Sequence, residues 1–167
     1  MNQEVVLLSD LWGSKKSEWV NHYRDHLTGV AAFKFYDSCA LGGINMVPDE
    51  KDHIHRQFVD FGIQNAARQL LHLEKQAKTY IGCSVGGVIV WRAGLLGLPI
   101  QQLILISSTR LRKEKDKPLC PITIYFGELD SYQPDLHWYQ KMGLQNEIIP
   151  KGSHEIYKIP SLLPQFL

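Results

Sequence analysis

Apolar positions along this chain alternate between short unbroken runs and helical spacing, and that alternation predicts βα units built around a mostly parallel sheet. Residues 5–8, Val-Val-Leu-Leu, read as the first strand. Trp19, Val20, Tyr23 and Leu27 then share one helical face, and Gly29 ends that helix. Residues 31–36 form the second strand, followed by a loop holding Gly42, Gly43 and Pro48. A long helical pattern from about residue 52 to residue 76 carries Ile54, Phe58, Phe61, Ile63, Ala67, Leu70 and Leu71, with a bend expected at Gly62. Strands follow at residues 78–81, 102–106, 122–126 and 147–149, the two middle ones almost continuously apolar, as strands covered on both faces are. A buried helix is expected over residues 88–96, and another over 134–142 with Pro134 in its first turn. The tail from residue 155 reads as helix interrupted by Pro160 and Pro164.

Composition narrows this picture without redirecting it. The 167 residues, 44% hydrophobic, suffice for one core, and no repeat or linker divides them. Lys and Arg total 18 against 17 Asp and Glu, so bulk charge points to neither nucleic acid nor an anionic membrane. The apolar run near the start is too short for a signal segment or membrane span, and a cytoplasmic location is the expectation. Cys39, Cys83 and Cys120 are odd in number and lack a C-x-x-C spacing, which argues against a disulfide framework or a structural zinc site.

The chemistry concentrates at Gly82-Cys83-Ser84-Val85-Gly86, set between an apolar strand and an apolar helix. This is the G-x-S-x-G pattern in which a serine sits on a sharp turn with its hydroxyl exposed, while small residues on either side let strand and helix approach. A serine hydroxyl is a poor nucleophile without a base, and the base needs an orienting group. Asp130 falls just beyond the fifth strand and His154 just beyond the sixth. All three thus lie at the carboxyl ends of strands, where open α/β sheets build their sites. An ordinary glycine-rich turn or a phosphate-binding nest at Ser84 would not call for the other two.

On Gly82-Cys-Ser-Val-Gly-Gly87, Gly127-Glu-Leu-Asp130 and Gly152-Ser-His154, the chain resembles the α/β-hydrolase superfamily, whose triad runs Ser, Asp or Glu, His in chain order. The resemblance covers nearly the whole length. It implies a single α/β-hydrolase domain over residues 1–167, with a mainly parallel sheet of about six strands flanked by helices. Ser84 is then the nucleophile, His154 the general base and acid, and Asp130 the group that holds the imidazole tautomer. Asp135 is the second candidate acid, ranked lower because it falls inside the expected helix. The oxyanion hole would use the backbone N–H of Val85 and that of Leu11, with the Trp12 N–H as the neighbouring alternative. Ser9-Asp10 stands where the family usually carries His-Gly, which restricts the backbone and places a negative charge near a developing oxyanion. Trp12 is also placed to wall an acyl pocket.

The chain starts on what would be the family's third strand, so the initial antiparallel hairpin is expected to be missing. The interval from Ser84 to Asp130 has room only for a helix, a strand, a loop and a strand, so no cap domain is expected and the site should be open. The implied activity is hydrolysis of an ester, thioester or related acyl bond through an acyl-serine. A catalytically silent binding protein on the same fold, and a peptidase-like or lactone-opening serine hydrolase, are the alternatives. A small-molecule acyl substrate is the expected partner, without nucleic acid or membrane, and the triad chemistry calls for no cofactor. The oligomeric state is not set by these residues.

His22 and His26, and likewise His53 and His55, read as solvent-facing helix edges, and no metal site is expected. Residues 110–117, Arg-Leu-Arg-Lys-Glu-Lys-Asp-Lys, read as a solvated charged loop because acids interleave the bases. Cys83 reads as a small buried filler.

Overall fold

The structure, a computed structural model, describes residues 3–167. Its centre is a six-stranded sheet formed by β1 (Gln3–Leu8), β2 (Ala31–Tyr36), β3 (Lys78–Cys83), β4 (Ile100–Ile106), β5 (Ile122–Gly127) and β6 (Glu147–Ile149). The spatial order is β2-β1-β3-β4-β5-β6, and every neighbouring pair is parallel. From β1 the chain steps outward to β2, then returns to the other side of β1 and adds strands in sequence. The direction of winding therefore reverses between β1 and β3, and the crevice beyond their carboxyl ends is where such sheets bind ligands.

Strand alternation divides the core in two. Val6, Leu8, Tyr80, Leu103, Leu105 and Phe126 face α2 (Ser38–Gly42), α3 (Lys51–Gln57), α4 (Ile63–Leu73), α5 (Val85–Leu95) and α6 (Leu136–Met142). Val5, Leu7, Ile81, Cys83, Ile104 and Ile106 face α1 (Val20–Leu27) and the C-terminal segment, which ends in α7 (Leu163–Phe166). The apolar α5 is buried along nearly its whole length, as a helix without a polar face must be.

Three expectations differ from the structure for identifiable reasons. The long helix of residues 52–76 is two helices, α3 and α4, joined by one π-helical turn at Phe58–Gly62. That wider turn inserts a residue, so Phe58 and Ile63, five apart, are both buried, while Phe61 is 40% exposed. Gly62 serves close approach as well: a Cβ there would lie 2.5 Å from Ile44 Cδ1, and the Cβ of a residue at 42 would lie 2.9 Å from the Gly62 carbonyl oxygen. The loop after β2 contains α2, whose cap is the Asp37 carboxylate accepting from the N–H groups of Cys39 at 2.8 Å and Ala40 at 3.1 Å. Pro134 precedes α6 rather than entering its first turn, because Asp135 is the N-cap, accepting from the Trp138 N–H at 2.8 Å.

Candidate active site

Ser84 links β3 to α5 with φ 53° and ψ −121°, a left-handed conformation that an L-residue adopts at a cost of about 1–3 kcal/mol. Neighbouring backbone over-determines it. The Ser84 N–H donates to Ile106 O at 3.0 Å, and the Ser84 carbonyl accepts from Gly87 N at 3.1 Å and Thr109 N at 3.2 Å. A Cβ at position 82 would lie 2.3 Å from Gly87 Cα, and one at 86 only 2.6 Å from Ser9 O and 2.7 Å from Leu8 O. Both contacts are with backbone that cannot swing aside, so the two glycines are steric requirements of the turn.

The loops after β5 and β6 position the other two groups, and they are bonded to one another. Glu128 N donates to Ile149 O at 3.0 Å, Leu129 N to Gly152 O at 2.9 Å, and Lys151 N to the Glu128 carboxylate at 2.7 Å. Across this shared framework His154 Nδ1 lies 2.8 Å from Asp130 Oδ2, and His154 Nε2 lies 3.0 Å from Ser84 Oγ. A carboxylate only accepts, so the proton rides on Nδ1 and Nε2 is left with its lone pair toward the serine hydroxyl. The other oxygen of Asp130 accepts from Tyr132 N at 2.9 Å, and its side chain is fully buried, while that of His154 is 27% exposed. Asp135, by contrast, caps α6.

The turn after β1 shows what Ser9-Asp10 does. Ser9 Oγ accepts from Ser38 N at 2.8 Å, pinning β1 to the start of α2. The Asp10 carboxylate accepts from Trp12 N at 3.0 Å and from the Tyr157 hydroxyl at 2.8 Å. Burial pushes the Asp10 carboxyl up from its ordinary value, and those two donors pull it partway back. Burial raises the Tyr157 hydroxyl too, reinforced by Asp10, so it remains the donor. The Trp12 N–H is thereby occupied, which removes it as the alternative oxyanion donor. The N–H groups of Leu11 and Val85 have no acceptor among the described residues.

Above Ser84 lies a cavity of about 310 Å³ whose wall includes Leu11, Trp12, His154 and Tyr157. Tyr132 closes one side, its ring edge-on to His154 with centroids 5.3 Å apart. Trp12 stands on the wall of this cavity, with Lys16 Nζ 3.8 Å from its ring centre. Ser84 itself is only 1% exposed, so the hydroxyl lies at the base of a cleft rather than on an open surface. A roomier groove of about 730 Å³ along Tyr36, Asp37, Arg68 and His72 contains none of these groups.

Sequence reasoning missed several wall residues. Tyr132 had a local signal, since an Asp accepting from the N–H two residues later is a common turn. Tyr157, Lys51, His55, Thr109 and Arg110 had none, because they arrive from α3 and from turns distant in sequence. The segment 110–117 is also more ordered than a solvated loop: Leu111 is fully buried, Glu114 binds Arg92 at 2.9 Å, and the Asp116 and Glu114 carbonyls accept from the Trp91 and Trp138 indoles, each at 3.0 Å.

The sheet order, the strained serine turn and the flanking helices define the α/β-hydrolase fold, and among the described residues no cap domain interrupts it. Solved structures agree. A Xanthomonas campestris pv. campestris protein assigned to the α/β-hydrolase superfamily superposes with a TM-score of 0.61 at 15% identity, covering 99% of each chain. An α/β-hydrolase enzyme from a lagoon-sediment metagenome of Mar Chica, Morocco, gives a TM-score of 0.67 at 15% identity, covering 99% of this chain and 88% of its own. A bromoperoxidase from Bacillus anthracis gives 0.63 at 15% identity, covering 99% and 92%. No protein-family model and no curated protein sequence matches the chain. No helix among the described residues is long and apolar enough to cross a membrane.

Proposed function

We propose that the protein is a serine hydrolase that cleaves an ester, thioester or related acyl bond through an acyl-serine intermediate. The observation that carries this reading is the continuous line from Ser84 Oγ to His154 Nε2 at 3.0 Å and from His154 Nδ1 to Asp130 Oδ2 at 2.8 Å, on a serine held in the left-handed region. The hydrolase assignments among the structural neighbours support it.

In this mechanism His154 takes the Ser84 proton as the oxygen attacks the substrate carbonyl, and Asp130 stabilises the imidazolium that forms. The oxyanion is received by the Val85 and Leu11 N–H groups, which need no reorganisation because neither has another acceptor among the described residues. His154 then gives its proton to the leaving oxygen or sulfur. A water deprotonated by the same imidazole attacks the acyl-serine, and collapse returns the proton to Ser84 and releases the acid.

A fluorophosphonate tests the reading, because only an activated serine attacks it at neutral pH. Intact mass should show one adduct on the wild type and none on Ser84→Ala. An unmodified wild type would leave the fold serving as a silent binding module, and an adduct elsewhere, such as at Ser38 or Ser107, would overturn Ser84 as the nucleophile.

A further inference from the structure

Part of the cleft wall is basic, and its cations have no carboxylate partner among the described residues. Lys51, Arg110 and Arg112 line the cavity that holds Ser84 and His154. None has a carboxylate within ion-pair distance among the described residues, whereas Lys15, Lys34, Lys78, Arg92 and Lys158 each have one. The acids on the same wall are Asp52 and Glu155, and Glu155 is already held by Lys158 at 2.7 Å. A chain of near-neutral balance therefore gathers a local excess of positive charge at the mouth of its cleft. His55 on the same wall responds to it: burial lowers the imidazole from its ordinary value, and the charges of Arg110 and Lys51 lower it further.

The segment that carries Arg110 and Arg112 is also anchored. Thr109 N donates to the carbonyl of Ser84 itself, Leu111 is buried in the core, and Lys113 N closes a turn on Arg110 O at 2.9 Å. Arg110 and Arg112 flank the buried Leu111, and Arg110 takes φ 66° to do so. The Arg112 guanidinium lies 5.7 Å from the Tyr132 ring centre, and that ring abuts His154. The backbone that carries two planar, multi-donor groups is thus fixed beside the nucleophile, and such groups suit bidentate binding of a carboxylate or phosphate.

Resting on the hydrolase reading above, we infer that the preferred substrate is an acyl compound carrying its own anionic group, a carboxylate or a phosphate, received by Arg110 and Arg112 with Lys51 while Ser84 attacks the acyl carbonyl. Three p-nitrophenyl esters test this: the neutral butyrate, the hemiglutarate with a terminal carboxylate, and the 3-phosphonopropionate with a terminal phosphonate. Nitrophenolate release reads acylation whether or not the acyl-enzyme turns over. At low salt, kcat/KM for at least one anionic ester should exceed that for butyrate, and the larger ratio says which anion fits. Arg110→Gln and Arg112→Gln should each lower that ratio about tenfold, the lower end of what a charge-assisted hydrogen bond contributes. The wild-type ratio should also fall as salt is raised, a response that mere loss of packing would not give. A wild type labelled by fluorophosphonate at Ser84 that shows no preference for either anionic ester, or a preference both variants retain, overturns this inference alone. A wild type that releases nitrophenolate from none of the esters and takes no fluorophosphonate overturns the hydrolase reading and this one with it.

Discussion

At the scale of single residues, the site separates two aspartates that lie five positions apart. Asp130 is buried against His154, and Asp135 spends its side chain on the N-terminus of α6. Asp130→Asn should therefore fold with a near-normal melting temperature and lose roughly 10⁴ in kcat, since an amide cannot hold the imidazole in the productive tautomer. Asp135→Ala should do the reverse, losing about 1 kcal/mol of stability while keeping kcat, as removal of a cap does. Parallel thermal melts and ester kinetics on the two variants check this, and a slow Asp135→Ala beside a fast Asp130→Asn would exchange their roles. Gly86 gives a second residue-scale prediction. Even one methyl there meets the carbonyls of Leu8 and Ser9, so Gly86→Ala should cost about 1–3 kcal/mol in chemical denaturation and reduce activity. An unchanged denaturation midpoint with full activity would mean that strand and helix do not approach as described.

Among the elements, the clamp at the end of α4 sets how the parallel sheet answers to pH. The Glu74 carboxylate accepts from Lys34 at 2.7 Å, from the Tyr36 hydroxyl at 2.6 Å and from Lys78 at 2.6 Å, and Lys78 also reaches Glu4 at 2.8 Å. One side chain thus joins α4 to β2 and β3, and through Lys78 to β1. Desolvation alone would raise Glu74, but the hydrogen bonds from Lys34, Lys78 and Tyr36 outweigh it and bring the carboxyl from 4.5 down to about 2. Because the folded value lies below the unfolded one, the stabilisation is present above about pH 4.5 and is lost as pH falls through about 2. Glu74→Gln should be less stable than wild type at pH 7, on the order of 2 kcal/mol, with the lysines left short of a counter-charge. Urea unfolding of both proteins should show the gap closing below about pH 4.5, and a gap constant from pH 7 to pH 2 would exclude a charged Glu74 as its source.

At the scale of the whole fold, the cleft is walled by α3 and by loops already bonded to the sheet, and among the described residues no cap domain stands over it. Short soluble p-nitrophenyl esters should therefore be hydrolysed with no rate jump as their concentration crosses the micelle threshold, because nothing has to move aside. A sharp jump would identify α3, which contributes Lys51 and His55, as a moving cover. That wall comes from the helix that follows the loop of residues 40–49.

The chain's own pattern determined the alternation of strands and helices, the parallel sheet, the serine turn and the order Ser84, Asp130, His154. Those features depend on residues close in sequence: apolar runs, glycines two positions from a serine, and polar residues just past strand ends. The π-helical turn was not legible, because its extra residue is visible only once Phe58 and Ile63 are found on one face. Nor was the state of the oxyanion donors, since Trp12 is taken by Asp10, and Asp10 is held in turn by Tyr157 from the far end of the chain. The arginines at residues 110 and 112 looked like solvated loop, and only the bond from Thr109 to the Ser84 carbonyl and the burial of Leu111 between them brought them to the cleft. Local periodicity encodes which faces are buried. Which distant charges and N–H groups meet at a site is decided by close approach between loops, and that has no period to read.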